Sequence, residues 1–480
     1  MKSIATVILN RIPKRDVQYA DVRVVHRSTE TLSVRNGEPE RILASESLGF
    51  GVRVLRSGCW GFAASCELTS DSIDRTVQQA IMTADTSAIV RSAGERFDSP
   101  APATGQYRAA CLKDPFRVPL SERLTLLIQC TQLMREEKRV QSAVATMELM
   151  RENKVFVSTL DSEIEQETVQ CGAGIAAYAT DGKELQVRSY PASFGGNYRA
   201  AGYEFIEELD LQGNAQRVAA EAVELLSVPE CPAGEFDVIL DSNQLALQIH
   251  ESIGHALELD RILGYEASFA GTSFVTPEML GSFKYGSPAV SVVADATVAG
   301  GLGSFAFDDE GTPARCEPLI TEGILRGVLS SCSTAPLIGR RSSGAMRADG
   351  WQNFPIVRMT NINLLPGEWT LEELIADTKR GLFFETNRSW SIDDRRLQFQ
   401  FATEVAREIR NGKLGRLFRN PIYGGVTPQF WRSCDAVCRS SDWVLWGVPN
   451  CGKGEPMQIA RVGHGCAPAR FRNVTVGRKA

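Results

Sequence analysis

The sequence predicts an α+β protein, with an N-terminal α/β region of strands and packed helices followed by a β-rich C-terminal domain. Three observations lead there. A chain of 480 residues is too long for one ordinary core. Up to about residue 231, stretches of two-residue alternation trade places with stretches of helical period. Beyond that point, short apolar runs broken by Gly and Pro dominate, with a few helices inserted among them. The apolar content of 43% and charged content of 23% are those of a globular chain.

In chain order, Ile4 to Leu9 is a short apolar stretch that runs into charged residues. It reads as an amphipathic first helix rather than a signal peptide. Alternation at Val22–Val24 and Val52–Val54, with a turn signal at Asn36–Pro39, predicts strands across 20–65. A Thr/Ser/Asp cap signal and Ile73, Val77 and Ile81 at helical spacing predict the helix that follows. These elements make a first subdomain, 1–92, and the Pro- and Gly-rich segment 93–112 reads as a linker. A second α/β subdomain, 113–231, opens with a helix at "PLSERLTLLIQCTQLMREE", continues in strands and ends with the helix "GNAQRVAAEAVELLSVP". The main boundary falls near 232, and 232–480 is the β-rich domain. Within it, 316–330 alternates around a Glu-Gly turn.

Charge and cysteine usage narrow the function. The 58 acids and 52 bases, net −6, are well mixed, and no basic stripe marks a nucleic-acid surface. No run approaches the ~18 apolar residues of a membrane span, so a cytoplasmic location is expected. Twelve cysteines are scattered singly, which reads as reduced thiols rather than a disulfide scaffold.

The segment "QIHESIGHALELD", Gln248 to Asp260, carries the chemistry. It holds two of the chain's four histidines, His250 and His255, and Glu251 follows the first. Zinc peptidase helices carry H-E-x-x-H, with the imidazoles four apart on one face. Five apart on an ideal α-helix, they point about 140° away from each other. A π turn absorbs the extra residue and returns both rings to one face, and Gly254 is placed to ease it. The alternative is two histidines on different faces beside a solvated glutamate. Asp241, Ser242 and Asn243 are the candidate N-caps for this helix. For a third zinc ligand, Cys451 in "VPNCGKGEP" is the first candidate, with His464 and Cys466 as alternatives. Glu258 and Asp260 are expected to face solvent. Asp308–Pro313, "DDEGTP", reads as a structural turn, and the tryptophans between 431 and 446 as core or interface.

Taken together, "YADVRVVHRSTETLSVRNGEPER", "GVRVLRSGCWGFAAS", "IHESIGHALELD", "FAFDDEGTPA", "RMTNINL", "KRGLFF" and "NCGKG" give the chain a resemblance to the TldD/PmbA family over most of its length. H-E-x-x-x-H combined with a late C-G-K is specific to that family's TldD-like, catalytic side. The resemblance implies a zinc metallopeptidase in which His250, His255 and Cys451 are the ligands and Glu251 is the general base. It implies an extended or unfolded peptide substrate, and a dimer with a second copy or a PmbA/TldE-like paralogue. The region 384–450 departs from the family pattern. A non-catalytic, zinc-containing scaffold subunit and a hydrolase of non-peptide amides are the rival readings.

Overall fold

The computed structural model describes residues 1–90, 94 and 96–477, so the expected boundary at 92–93 lies outside the described residues. The N-terminal half is built on β1 (Tyr19–Arg35), β2 (Glu38–Arg56), β3 (Cys59–Ser65), β4 (Thr104–Arg108), β5 (Val140–Ser158), β6 (Glu163–Thr180), β7 (Leu185–Tyr190) and β8 (Asn197–Arg199). Among the described residues these form one eight-stranded sheet, in the order β3-β2-β1-β5-β6-β4, with β7 and β8 also paired to β6. The sheet therefore runs through both segments expected as separate subdomains. The seam is the antiparallel pairing of β1 with β5, from Asp21–Ser158 to Arg35–Val144. Part of the expected linker is structured too, since β4 pairs in parallel with β6.

Alternation explains how this sheet builds a core. Val22 and Val24 on β1 and Val52 and Val54 on β2 are buried against α1 (Lys2–Arg11) and α2 (Ser70–Val90). Around β5 and β6, a second cluster is covered by α3 (Leu120–Arg135), α4 (Glu204–Glu208) and α5 (Leu211–Glu224). At Gly61 the packing is closest. A Cβ there would lie 1.9 Å from the Ala80 carbonyl of α2, so only glycine lets the helix sit down on β3.

From β9 (Gly234–Leu240) onward the chain is β-rich. β9 leads directly into α6 (Ser242–Ile249), and a four-residue helix, α7 (Leu259–Ile262), follows the site segment. Next come β10 (Val292–Asp295), β11 (Cys316–Thr321), β12 (Ile324–Leu325), β13 (Met346–Arg347), β14 (Ile356–Val357) and β15 (Ile362–Leu364). The expected Glu-Gly turn joins β11 to β12, with both Glu322 and Gly323 at positive φ. Then follow α8 (Leu371–Ala376), β16 (Arg380–Ile392), β17 (Gln398–Arg410), β18 (Lys413–Arg419), β19 (Ile422–Val426), α9 (Thr427–Arg432), β20 (Cys434–Val437), β21 (Val444–Lys453), β22 (Gln458–Cys466) and β23 (Ala469–Val476). β9 lies between β16, its parallel neighbour, and the antiparallel β23 in a seven-stranded sheet. α6 is buried in the largest apolar cluster, with Leu245, Ala246 and Ile249 among side chains of this sheet.

The N-terminal sheet meets the C-terminal domain through buried charge. Arg53 is 1% exposed, donates to Asp21 at 2.7 Å and 2.9 Å and to Glu310 at 3.1 Å, and stacks 4.4 Å from the Trp60 ring. Lys154 pairs with Asp309 at 2.7 Å. The segment Asp308–Pro313 forms a turn in which the Asp308 carboxylate accepts from the backbone N–H of Glu310, Thr312 and Met346. Removing one partner of such a network strands the others in a low-dielectric interior, at about 3–5 kcal/mol. Arg53→Ala is therefore expected to lower the thermal midpoint by many degrees. Arg11→Ala, which breaks the exposed pair with Asp74, should leave it nearly unmoved. Differential scanning calorimetry of the two variants checks this.

Candidate metal centre

Asp241 caps α6, its carboxylate accepting from the Asn243 N–H. The helix then changes pitch. Residues His250–Gly254 form a π turn in which the His255 N–H reaches the His250 carbonyl, five residues back. His250 and His255 consequently share a face, their ring centroids 4.8 Å apart. Gly254 does not act through unusual backbone angles, because its φ of −53° is ordinary helix. Its role is close approach, since a Cβ at that position would lie 2.1 Å from Met359 Sδ.

Cys451 arrives on β21, 196 residues later, with its Sγ 3.5 Å from His255 Nε2. One donor atom from each of His250, His255 and Cys451 lies within 4.8 Å of the other two, and all three residues are buried. The 3.5 Å between Cys451 Sγ and His255 Nε2 is the separation expected of two ligands on one tetrahedral zinc, and the 4.8 Å limit for the set is somewhat wider. Tetrahedral ligands at roughly 2.0–2.1 Å for nitrogen and about 2.3 Å for sulfur would stand about 3.6 Å apart.

The surrounding groups set the protonation states. Burial pulls both imidazoles below their usual value, so both rings are held neutral, as ligands must be. Burial alone would raise the Cys451 thiol, but the Arg358 guanidinium and the facing His255 Nε2, which can share the thiol proton, outweigh it and bring it below the ordinary range. Elsewhere in the interior, burial pushes the Cys130 and Cys434 thiols up to about 12. Cys451 is the buried thiol arranged to ionise.

Each imidazole has its far nitrogen engaged. His255 Nδ1 lies 2.9 Å from the Glu258 carboxylate. Burial raises the carboxyl of Glu258, yet Lys453, His255 and Arg261 hold it well below the usual range, so it is an acceptor and His255 Nδ1 carries the proton. His250 Nδ1 lies 2.8 Å from His464 Nε2, and His464 Nδ1 faces the Ile362 carbonyl at 3.4 Å. A carbonyl only accepts, so His464 donates from Nδ1 and accepts at Nε2. His250 then donates from Nδ1, and its Nε2 lone pair is free. Both rings present Nε2 to the cluster in the tautomer that binds a metal.

Several expectations change here. Glu258 and Asp260 do not face solvent: they are 0% and 6% exposed. The helix breaks after Leu257, and Glu258 bridges to Leu329, which turns both acids inward. Lys453, two residues after Cys451, meets them there, 2.7 Å from Asp260 and 3.4 Å from Glu258. His464 lies outside the three-residue cluster and supports His250, while the Cys466 thiol donates to the Ser242 carbonyl. The tryptophans divide. Trp431 is in the core, whereas Trp446 lines a cavity of about 490 Å³ whose floor is the cluster. Phe194, Trp390, Ile392 and Leu247 add apolar wall. Arg396 also lines this cavity, with its Nη1 2.6 Å from Glu251 Oε2. It had no motif to mark it.

A buried His/His/Cys cluster beside a carboxylate, at the floor of a cavity in an α+β fold, defines a candidate metalloenzyme. The chain belongs to the PmbA/TldD metallopeptidase family. Residues 20–84 match the PmbA/TldA metallopeptidase domain 1, 113–227 its central domain and 233–478 its C-terminal domain. A metalloprotease of Methanocaldococcus jannaschii is 31% identical, the match covering 93% of this chain and 95% of the relative. A metalloprotease of Methanothermobacter thermautotrophicus is 30% identical over 96% of each. The fold is shared with a crystal structure from Thermotoga maritima described as a putative modulator of a DNA gyrase. That match has a TM-score of 0.79 at 18% identity, over 99% of each chain. Among the described residues, no helix is long and apolar enough to cross a membrane.

Glu258 gives the site a pH signature. With its folded value depressed, its ionisation adds stability above the unfolded value of about 4.3. That stability is lost as the pH falls through the folded value. Glu258→Gln should therefore be less stable than wild type at pH 7, with the gap closing on acidification. Thermal melts of both metal-free proteins between pH 7 and pH 3 measure it.

Proposed function

We propose that this protein is a zinc-dependent peptidase that hydrolyses peptide bonds in extended chains, with His250, His255 and Cys451 as ligands and Glu251 as general base. The observation that carries the reading is the convergence of three neutral or ionisable donors on one point at the floor of a cavity, with Glu251 on the same π turn. Zinc held there supplies a Lewis acid that polarises a carbonyl and acidifies water.

The chain's own residues do the rest. Glu251 lies next to His250 and lines the cavity, so it can reach a water beside the substrate. It takes that water's proton as the oxygen bonds to the carbonyl carbon. When the C–N bond breaks, the same proton passes to the departing amine. Residues 446–452 of β21 line the cavity, and among the described residues β21 pairs only with β22, which favours an extended peptide laid along it. A dimer with a second copy or a PmbA/TldE-like paralogue, and a cytoplasmic location, belong to the same proposal and rest on the family resemblance.

A non-catalytic scaffold would close its zinc with a fourth protein ligand. His464 and Cys466 are committed to His250 and to a backbone carbonyl, which favours the catalytic reading. The expected outcome is that Glu251→Gln keeps its zinc and loses about 10²–10⁴ in kcat against a peptide library. His250→Ala, His255→Ala and Cys451→Ala should lose the metal, and Cys466→Ala should retain it. Metal analysis by mass spectrometry alongside the cleavage assay decides. Undiminished cleavage by Glu251→Gln would remove its assigned role.

A further inference from the structure

The hairpin turn between β16 and β17 lies in the region that departs from the family pattern, and it carries Arg396 to the site. The backbone of this turn is held on several sides. The Asp393 carboxylate accepts from the N–H groups of Leu397 and Gln398, and the Arg396 N–H donates to the Asp393 carbonyl. The Arg396 carbonyl accepts from Thr427 Oγ1. Thr272 and Phe274 donate to the carbonyls of Asp394 and Arg395, and Ser273 between them donates to Ala256 of the metal-site segment. Arg396 itself has a φ of +60°, a left-handed conformation that strains a residue with a Cβ. Such strain persists only where the surroundings over-determine it. Here they aim one guanidinium at one carboxylate.

Geometrically, that contact conflicts with the proposed chemistry. The guanidinium donates to Glu251 Oε2 at 2.6 Å, so the acceptor site that an incoming water would use is already taken. Among the described residues, Glu251 is the only side chain that Arg396 hydrogen-bonds, its buried Nε has no partner, and no other Lys or Arg lines the cavity. A lone guanidinium with donors to spare, poised over the base, has somewhere else to go once a polar group enters.

We propose that Arg396 is a catalytic residue, which leaves Glu251 when a peptide binds and donates to the scissile carbonyl oxygen as that oxygen takes on negative charge. The inference rests on the peptidase reading above. The same movement frees Glu251 to accept the water proton, so the substrate completes the active site by displacing the ion pair. In the free protein the guanidinium occupies the Glu251 oxygen, and hydrolysis is coupled to occupancy. Glycine at 396 would relieve the backbone but could not donate, and alanine would keep the strained backbone without a donor. Lysine could supply one charged donor without the planar fork.

The test uses the zinc-loaded full chain, a peptide that the wild type cleaves, and a phosphinic analogue of that peptide whose anionic tetrahedral group resembles the transition state. Arg396→Ala and Arg396→Lys are compared with wild type for zinc content, kcat, KM and calorimetric affinity for the analogue. Arg396→Ala should keep its zinc and its KM and lose about 10²–10³ in kcat. The analogue should weaken by the same factor, and Arg396→Lys should recover part of both.

Cleavage by Arg396→Ala at or above the wild-type rate would overturn the proposal, since the arginine would then only restrain Glu251. So would a lower kcat with unchanged affinity for the analogue. A rise confined to KM, with cleavage limited to peptides bearing a free C-terminal carboxylate, would assign Arg396 to that carboxylate and also overturn it. Zinc loss in both variants would make the residue structural. If the wild type neither cleaves the library nor binds the analogue, the peptidase reading fails and this inference with it. Wild-type cleavage with an indifferent Arg396→Ala defeats this inference alone.

Discussion

One backbone hydrogen bond, from the His255 N–H to the His250 carbonyl five residues back, is the constraint on which the site depends. It turns a spacing that would splay two imidazoles into one that gathers them. Everything else secures that turn. Asp241 fixes where the helix begins, and Gly254 lets Met359 pass beneath it. The Tyr285 hydroxyl donates to the Ser252 carbonyl inside the turn, and the Trp431 indole donates to the Ser252 hydroxyl. A π turn forgoes regular helix bonding over five residues, and here the surrounding core supplies the replacement contacts.

The second organising element is buried charge. Glu258, Asp260, Arg261 and Lys453 form a compact group beneath His255, all of it inaccessible to solvent or nearly so. Isolated, any one of them would be costly to bury. Lys453 and Arg261, with His255, hold Glu258 ionised, and the ionised carboxylate fixes the tautomer of His255. A different device serves His250, where a neutral imidazole and a backbone carbonyl do the same work without charge. The two rings are thus oriented by separate supports that share no residue.

Much of this was legible in the sequence. Two-residue alternation marked β1, β2, β5 and β6, and helical period marked α2, α3 and α5, because each buries one face and exposes the other. The histidine spacing, the adjacent glycine and the late cysteine were enough to raise the π turn and the three-residue cluster as possibilities. Other features were hidden for physical reasons. Period-two patterning shows that a strand has a buried face but not which strand it pairs with, so the β1–β5 seam joining the first two segments could not be read. Glu258 and Asp260 look like solvated charge, because their burial depends on Lys453, almost two hundred positions away. Arg396 sits in a turn where an arginine is unremarkable until its φ and its partner are known.

The order of the strands has a consequence for synthesis. β9, which launches the helix bearing both histidines, is flanked by β16 on one side and by β23, far downstream in the sequence, on the other. The sulfur comes from β21, only a little earlier. The sheet behind the imidazoles and the sulfur in front of them therefore both come from chain that is synthesised long after the histidines. A nascent chain that has reached only α6 has neither, and the three-residue cluster can gather only once β21 and β23 have been made and docked.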